Sequence, residues 1–177
     1  MRKQIEELLK SEVTGYRIAK KTGIGESVIS NLRSGKRNLD NISLKNAELL
    51  AQFKNDWDLY TNAKQIEVDP ESEIEFVESL YTNYSMINTN NENNGYFISF
   101  ESINKVEVND KELFEIEFKY ADEIEIEEDY FKDEVERAIW DNEEVEDRIF
   151  FKKYEEALSY LKMRYDIFTL EEVIETK

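Results

Sequence analysis

Between Lys20 and Asn38 the chain reads KKTGIGESVISNLRSGKRN, a segment rich in side chains that hydrogen-bond well and in cations. If Val28 or Ile29 and Leu32 point inward from a helix, the outward face carries Glu26, Ser27, Ser30 and Asn31, which can give or take hydrogen bonds at base edges in a major groove. Lys20, Lys21, Arg33, Ser34, Lys36, Arg37 and Asn38 flank that face, where phosphates would run. Other chemistries have little to work with. The chain contains no Cys and no His, which removes disulfides, thiolate nucleophiles, Cys/His metal sites and the commonest general base. The 41 Asp and Glu offer carboxylate pairs, but in such numbers a pair carries no information about catalysis. EIEIEED lacks the spaced oxygen ligands and central Gly of a calcium loop. The expectation is a protein that is not an enzyme and needs no metal or cofactor.

The elements that would position this face are legible. Ile5, Leu8 and Leu9, then Ile18 and Ala19, then Val28, Ile29 and Leu32, then Leu44, Ala47, Leu50 and Ala51 recur at helical spacing, predicting four short helices. Thr14 caps the second, Gly23 follows its last turn, Gly35 ends the third and Ser43 caps the fourth. The second and third have the layout of a helix-turn-helix, with small Ala19 where two helices touch, Gly23 at the turn and apolar anchors facing inward. Helical spacing alone also fits a small bundle with a solvated polar face; the joint placement of Ala, Gly and anchors favours the motif.

Residues 14 to 37 resemble the helix-turn-helix of the Cro and phage-repressor type, aligning without a gap over IAKKTGIGESVISNLRSGKR. The resemblance implies that Glu26, Ser27 and Asn31 occupy base-reading positions, with Lys36 and Arg37 in the following loop. Gly25 departs from the pattern, standing where a Ser or Thr cap is usual. Over residues 1 to 57, including MRKQIEELLKSE and NISLKNAELLAQF, the chain also resembles the N-terminal domain shared by staphylococcal type II-A anti-CRISPR proteins. In those proteins a dimeric DNA-binding autorepressor is fused to a variable inhibitor domain.

Charge divides the chain. Residues 1 to 60 hold 11 Lys/Arg against 8 Asp/Glu, net +3, whereas residues 61 to 177 hold 12 against 33, net −21. The organisation expected is an all-α helix-turn-helix bundle at 1–57, a linker or dimer-seam segment at 58–69, and an acidic α+β domain with an antiparallel sheet at 70–177. Leu49, Phe53, Trp57 and Tyr60 recur every three to four residues and form either a dimer seam or packing within their own domain. In the acidic part, DPESEIEFVESLYTNY has an Asp cap, a Pro at the first helical position and helical spacing of Ile74, Val77, Leu80, Tyr81 and Tyr84, predicting a helix. NTNNENNG reads as a loop. Beyond it the period becomes two through Tyr96–Phe100, Val106–Val108 and Phe114–Tyr120, with a turn at NDK, predicting an antiparallel meander. DYFKDEVERAIW and KKYEEALSYLKMRY return to helical spacing.

Residues 101 to 147 contain 20 Asp/Glu and 5 Lys/Arg, and through ELFEIEFKYADEIEIEED acids alternate with apolar residues. Alternation buries one face and leaves the other a field of carboxylates, for which Glu115, Glu117, Glu123, Glu125, Glu127 and Glu128 are the candidates. Such a face is either a solvated surface kept soluble by repulsion or the contact for a strongly positive partner. With the N-terminal resemblance, it implies a domain that binds a type II CRISPR effector nuclease by entering its basic DNA channel. The other partners expected are double-stranded DNA carrying an inverted repeat and a second copy of the chain. An antitoxin, or a phage repressor whose acidic domain binds another basic protein, is the alternative. No apolar run approaches the roughly 18 to 20 residues that span a bilayer, and the N-terminus lacks a signal-peptide core, so the cytoplasm of a bacterial host is the expected location.

Overall fold

The computed structural model describes residues 1–88, 95–125, 145–166, 168 and 172. The chain divides into two compact units, Met1–Asn62 and Ala63–Lys177. The first contains helices α1 (Arg2–Lys10), α2 (Gly15–Thr22), α3 (Glu26–Arg33) and α4 (Leu44–Asn62), with a short 3-10 turn at Leu39–Asn41. Their apolar stripes converge on one core of Ile5, Leu8, Ile18, Ile29, Leu32, Leu50 and Phe53, joined by Val13 and Ile24 from the connections. The boundaries obey local chemistry. The Arg17 backbone N–H donates to Thr14 Oγ1 at 3.1 Å, closing the first turn of α2. Gly23 stops that helix in the left-handed region at φ 69°, its N–H donating to the Ala19 carbonyl at 2.9 Å. The Asn46 N–H donates to Ser43 Oγ at 3.2 Å at the start of α4. Leu44, assigned to the core by its spacing, is instead 66% exposed in that first turn. Helix α4 runs to Asn62, so residues 58–62 of the expected linker are helical.

The second unit is α+β. Strands β1 (Ile74–Asn88), β2 (Gly95–Val108), β3 (Lys111–Glu125) and β4 (Val145–Phe151) form an antiparallel sheet in the order β1-β2-β3-β4, and helix α5 (Tyr154–Arg164) follows. The β2–β3 hairpin turns at Asn109 and Asp110, both with positive φ, the backbone that a two-residue turn requires and that Asn and Asp tolerate. Helix α5 packs on one face, where Ile103, Ile116, Phe118 and Phe151 meet Ala157 and Leu161. On the opposite face Val106, Val108, Leu113 and Phe150 make a smaller cluster under Ile66, Val68 and Ile74, and the Ile66 N–H donates to the Phe150 carbonyl at 2.8 Å. The α5 side also holds a buried polar clamp. Asn83 Nδ2 donates to Glu101 Oε2 at 2.7 Å and to the Asp166 carbonyl at 3.2 Å, while its Oδ1 accepts from the Phe168 N–H at 2.7 Å.

Two readings of the sequence are corrected here. The segment expected to be a helix from Asp69 to Tyr84 is a turn followed by strand β1. Asp69 still caps, accepting from the Glu71 N–H at 3.0 Å, but it closes the turn at Pro70. The apolar spacing of three arises because β1 shifts register against β2 between Phe76 and Glu78 and again between Ser79 and Tyr81. Each shift inserts a residue, Val77 and then Leu80, so a strand acquires the repeat of a helix. The second correction is that Tyr96–Val108 is one continuous strand rather than two. Strand β4 has no counterpart in the expected meander. DYFKDEVERAIW and most of NTNNENNG lie outside the described residues.

Candidate nucleic-acid interface

Helix α3 is held by its buried side. Ile29 is fully buried and Leu32 nearly so, while Val28 is only half-buried, which makes Ile29 the anchor of the first turn. With those residues inward, Glu26, Ser27, Ser30 and Asn31 are all exposed, four hydrogen-bonding side chains together on a helix that packs against α1 and α2. Gly25 caps α3 without a side-chain hydrogen bond, as its identity dictates. The following loop is shaped by backbone contacts: Gly35 turns at φ 71°, and the Arg37 N–H donates to the Asn31 carbonyl at 3.0 Å, drawing Arg37 back beneath the end of α3.

The flanking cations divide into two groups. Lys20, Ser34, Lys36, Arg37 and Asn38 are exposed and Lys21 half-buried. Asn38 is occupied in part, its Oδ1 accepting from the Asp40 N–H at 3.0 Å to cap the 3-10 turn, and Arg37 Nη2 donates to the Asn41 carbonyl at 3.2 Å. Arg33 differs from the rest. It is half-buried, and its Nη2 donates to the Val13 carbonyl and lies 3.5 Å from the Ser11 carbonyl. That geometry makes Arg33 a clamp between α3 and the connection before α2, which corrects its placement among the phosphate contacts. Sequence reasoning also passed over Tyr16, whose ring is 64% exposed in the first turn of α2. An aromatic two residues after a helix cap, off the apolar stripe, was the available signal.

The proposed dimer seam is corrected at Phe53. Phe53 is 4% exposed and belongs to the core of its own unit. Trp57 stacks on Phe53 with ring centroids 6.3 Å apart, and the Arg17 guanidinium lies 5.0 Å over its ring. Leu49 and Tyr60 remain half-exposed, beside the exposed Leu59 on the same helix.

In the second unit, Glu115 and Glu117 alternate with Phe114, Ile116 and Phe118 as expected, yet they do not form an open carboxylate field. Glu115 is buried, its side chain 4% exposed, and Glu117 nearly so. Arg148 Nε lies 3.4 Å from Glu115 Oε1, and Lys119 Nζ lies 3.4 Å from Glu117 Oε2, which also accepts from Ser102 Oγ and from Asn104 Nδ2 at 3.3 Å. Burial pushes the Glu115 carboxyl above its ordinary value, and Arg148 opposes the shift. These two glutamates therefore leave the list of exposed partner contacts. Glu123 and Glu125 fall at the far end of β3, where the backbone alone is described, and Glu127 and Glu128 lie outside the described residues. The exposed carboxylates that the sheet does align are Glu75, Glu107 and Glu112, opposite one another across β1, β2 and β3. Directly opposed like charges destabilise a sheet. Lys105 relieves one of them, its Nζ 2.8 Å from Glu112 Oε2. No reading of single-strand alternation finds this row, because it depends on register between strands.

Among the described residues no group of three or more potential ligands could hold a metal ion, and no helix is long and apolar enough to cross a membrane. Compared with known proteins, the chain matches no family model and no curated sequence.

Proposed function

We propose that the first unit binds an inverted-repeat operator as a homodimer and represses its own promoter, and that the acidic unit binds and inhibits a type II CRISPR RNA-guided nuclease. The observation that carries the first half is the exposed face of α3, with Glu26, Ser27, Ser30 and Asn31 outward and Lys36 and Arg37 in the adjoining loop. A single copy offers few base contacts, and a second copy doubles them at half-sites one turn, roughly 34 Å, apart. Leu49, Leu59 and Tyr60 on α4 supply the apolar surface for that pairing. The second half rests on charge: +3 and −21 on one chain call for partners of opposite sign, DNA for one and a cationic protein surface for the other. Glu75, Glu107 and Glu112 replace Glu115 and Glu117 as its contact residues.

The test is a cleavage assay with guide-loaded nuclease, using the intact chain and each unit separately, paired with footprinting on upstream DNA. Inhibition carried by residues 63–177 together with a palindromic footprint given by residues 1–62 is the expected outcome. No inhibition by any form ends the nuclease reading, and an unchanged footprint for Asn31→Ala with Arg37→Ala ends the operator reading. Because Glu115 and Glu117 are neutralised internally, a binder of another basic protein, of antitoxin or phage-repressor type, is the second reading. An operator footprint without nuclease inhibition would favour it.

A further inference from the structure

The sheet face turned away from α5 contains a groove of about 580 Å³, with Ser102, Asn104, Glu115 and Glu117 among its lining residues, Arg148 beside them from β4, and Phe76 from the edge strand β1. Three independent features of this groove concern what it would hold. The first is an unmet hydrogen bond. Glu115 Oε1 is buried and accepts none among the described residues, and Arg148 Nε at 3.4 Å forms an ion pair without hydrogen-bond geometry. A buried carboxylate oxygen left in that state costs free energy that an incoming donor would recover. Glu117 differs, since its Oε2 is served by Ser102, Asn104 and Lys119. Its Oε1 lies 3.6 Å from Arg148 Nη2, so Arg148 is the ion-pair partner of both glutamates.

The second feature is charge. Within the groove two carboxylates face two cations, Lys119 and Arg148, so the site itself is balanced. It sits, however, in a unit of net −21, whose field admits an additional cation and opposes an anion such as a phosphate. The third is the apolar bank. Phe76, on the edge strand and lining the groove, is 60% exposed. A free small cation would leave this ring in water, whereas an extended, partly apolar peptide segment would cover it.

We infer that this groove docks an arginine side chain presented by an extended, partly apolar segment of a partner protein. A planar guanidinium presents several donors in a fixed fork, one of which would meet Glu115 Oε1 with a directionality that a single ammonium lacks. The inference is independent of which protein the partner is, and it stands if the nuclease reading fails.

The experiment is an NMR titration of the intact 15N-labelled protein with three probes: the peptide acetyl-Leu-Arg-Leu-amide, its lysine counterpart, and agmatine. The arginine peptide is expected to give saturable shifts at the Asn104 side-chain amide and Arg148 Nε–H. Glu115→Gln should weaken it by about tenfold, the scale of losing one charge-assisted hydrogen bond. Ser79→Trp, at an exposed position lining the groove, should abolish it and carries the test should Glu115→Gln fail to melt as a folded protein. Absence of shifts at Asn104 and Arg148 overturns the inference, as does unaltered binding by a folded Ser79→Trp. Equal affinity for the lysine peptide overturns the guanidinium assignment. Agmatine binding as tightly as the peptide would make the ligand a free guanidinium compound and overturn docking of a protein segment.

Discussion

Arg33 donates to carbonyls of the connection before α2, and its Nε is buried without a hydrogen bond among the described residues. Lys36, three positions on, stands exposed in the loop. The two cations should therefore separate by measurement. Arg33→Ala leaves the Val13 carbonyl without its donor and is expected to destabilise the helical unit by about 1–3 kcal/mol, read from denaturant melts. Lys36→Ala should leave those melts unchanged while weakening DNA binding uniformly across sequences and lowering the salt slope by about one. The reverse pattern would return Arg33 to the phosphate contacts. Buried carboxyls give a second residue-scale expectation. Burial raises Glu101 above its ordinary value, with the Asn83 hydrogen bond opposing, and burial raises Glu115 likewise. A raised carboxyl binds its proton more tightly in the folded state, so its stabilising contribution is full below the ordinary value of 4.5 and is lost as pH rises through the folded value. Acidifying from neutral toward 4.5 should raise the melting temperature of the sheet unit, and Glu101→Gln with Glu115→Gln should flatten that dependence. An equal slope in the double variant would assign the effect to other carboxylates.

At the scale of elements, the helical unit depends on stops as much as on stripes. Gly23 closes α2 at φ 69°, and a Cβ built there meets nothing within 4 Å, so Gly23→Ala tests backbone strain alone. The expected loss is about 1–2 kcal/mol of stability in the helical unit, without any change at the exposed α3 face. A loss near zero would mean that the turn can relax. This unit was legible in the sequence because each device is local: Thr14, Gly23 and Ser43 announce helix ends, and the spacing of Ile5, Leu8, Ile18, Ile29 and Leu32 announces the core. The sheet unit was less legible for a physical reason. Val77 and Leu80 disrupt the period of β1, and strand alternation states which residues share a face without stating what covers it. Glu115 and Glu117 share a face with Leu113, as their spacing says. That this face holds Arg148 and the strap Ile66–Val68 follows from long-range pairing that no window of sequence contains. On α4 the repeat of Phe53 and Trp57 is real, but a repeat cannot distinguish an internal partner, which Phe53 has, from an external one.

Across the whole molecule, a helical unit of net +3 is joined to a unit of net −21. The chain joining the units is short: α4 ends at Asn62 and the β-bridge of Ile66 with Phe150 already belongs to the second unit. Repulsion between like-charged groups extends over about 8 Å at physiological ionic strength and about 30 Å at 0.01 M salt, so on the proposed operator reading the joined carboxylates are expected to brake DNA binding in a way that salt releases. Ordinary protein–DNA affinity falls as salt rises, through counterion release. In the intact chain the two effects oppose, and its affinity should fall less steeply with salt than that of residues 1–62 alone. The prediction is therefore a converging pattern in fluorescence anisotropy with a fixed DNA duplex: the isolated unit binds more tightly than the intact chain at low salt, and the gap narrows as salt is raised. Parallel salt lines would show that the acidic unit does not influence the DNA. A gap that widens with salt would show that it assists binding instead, as an added dimer contact would.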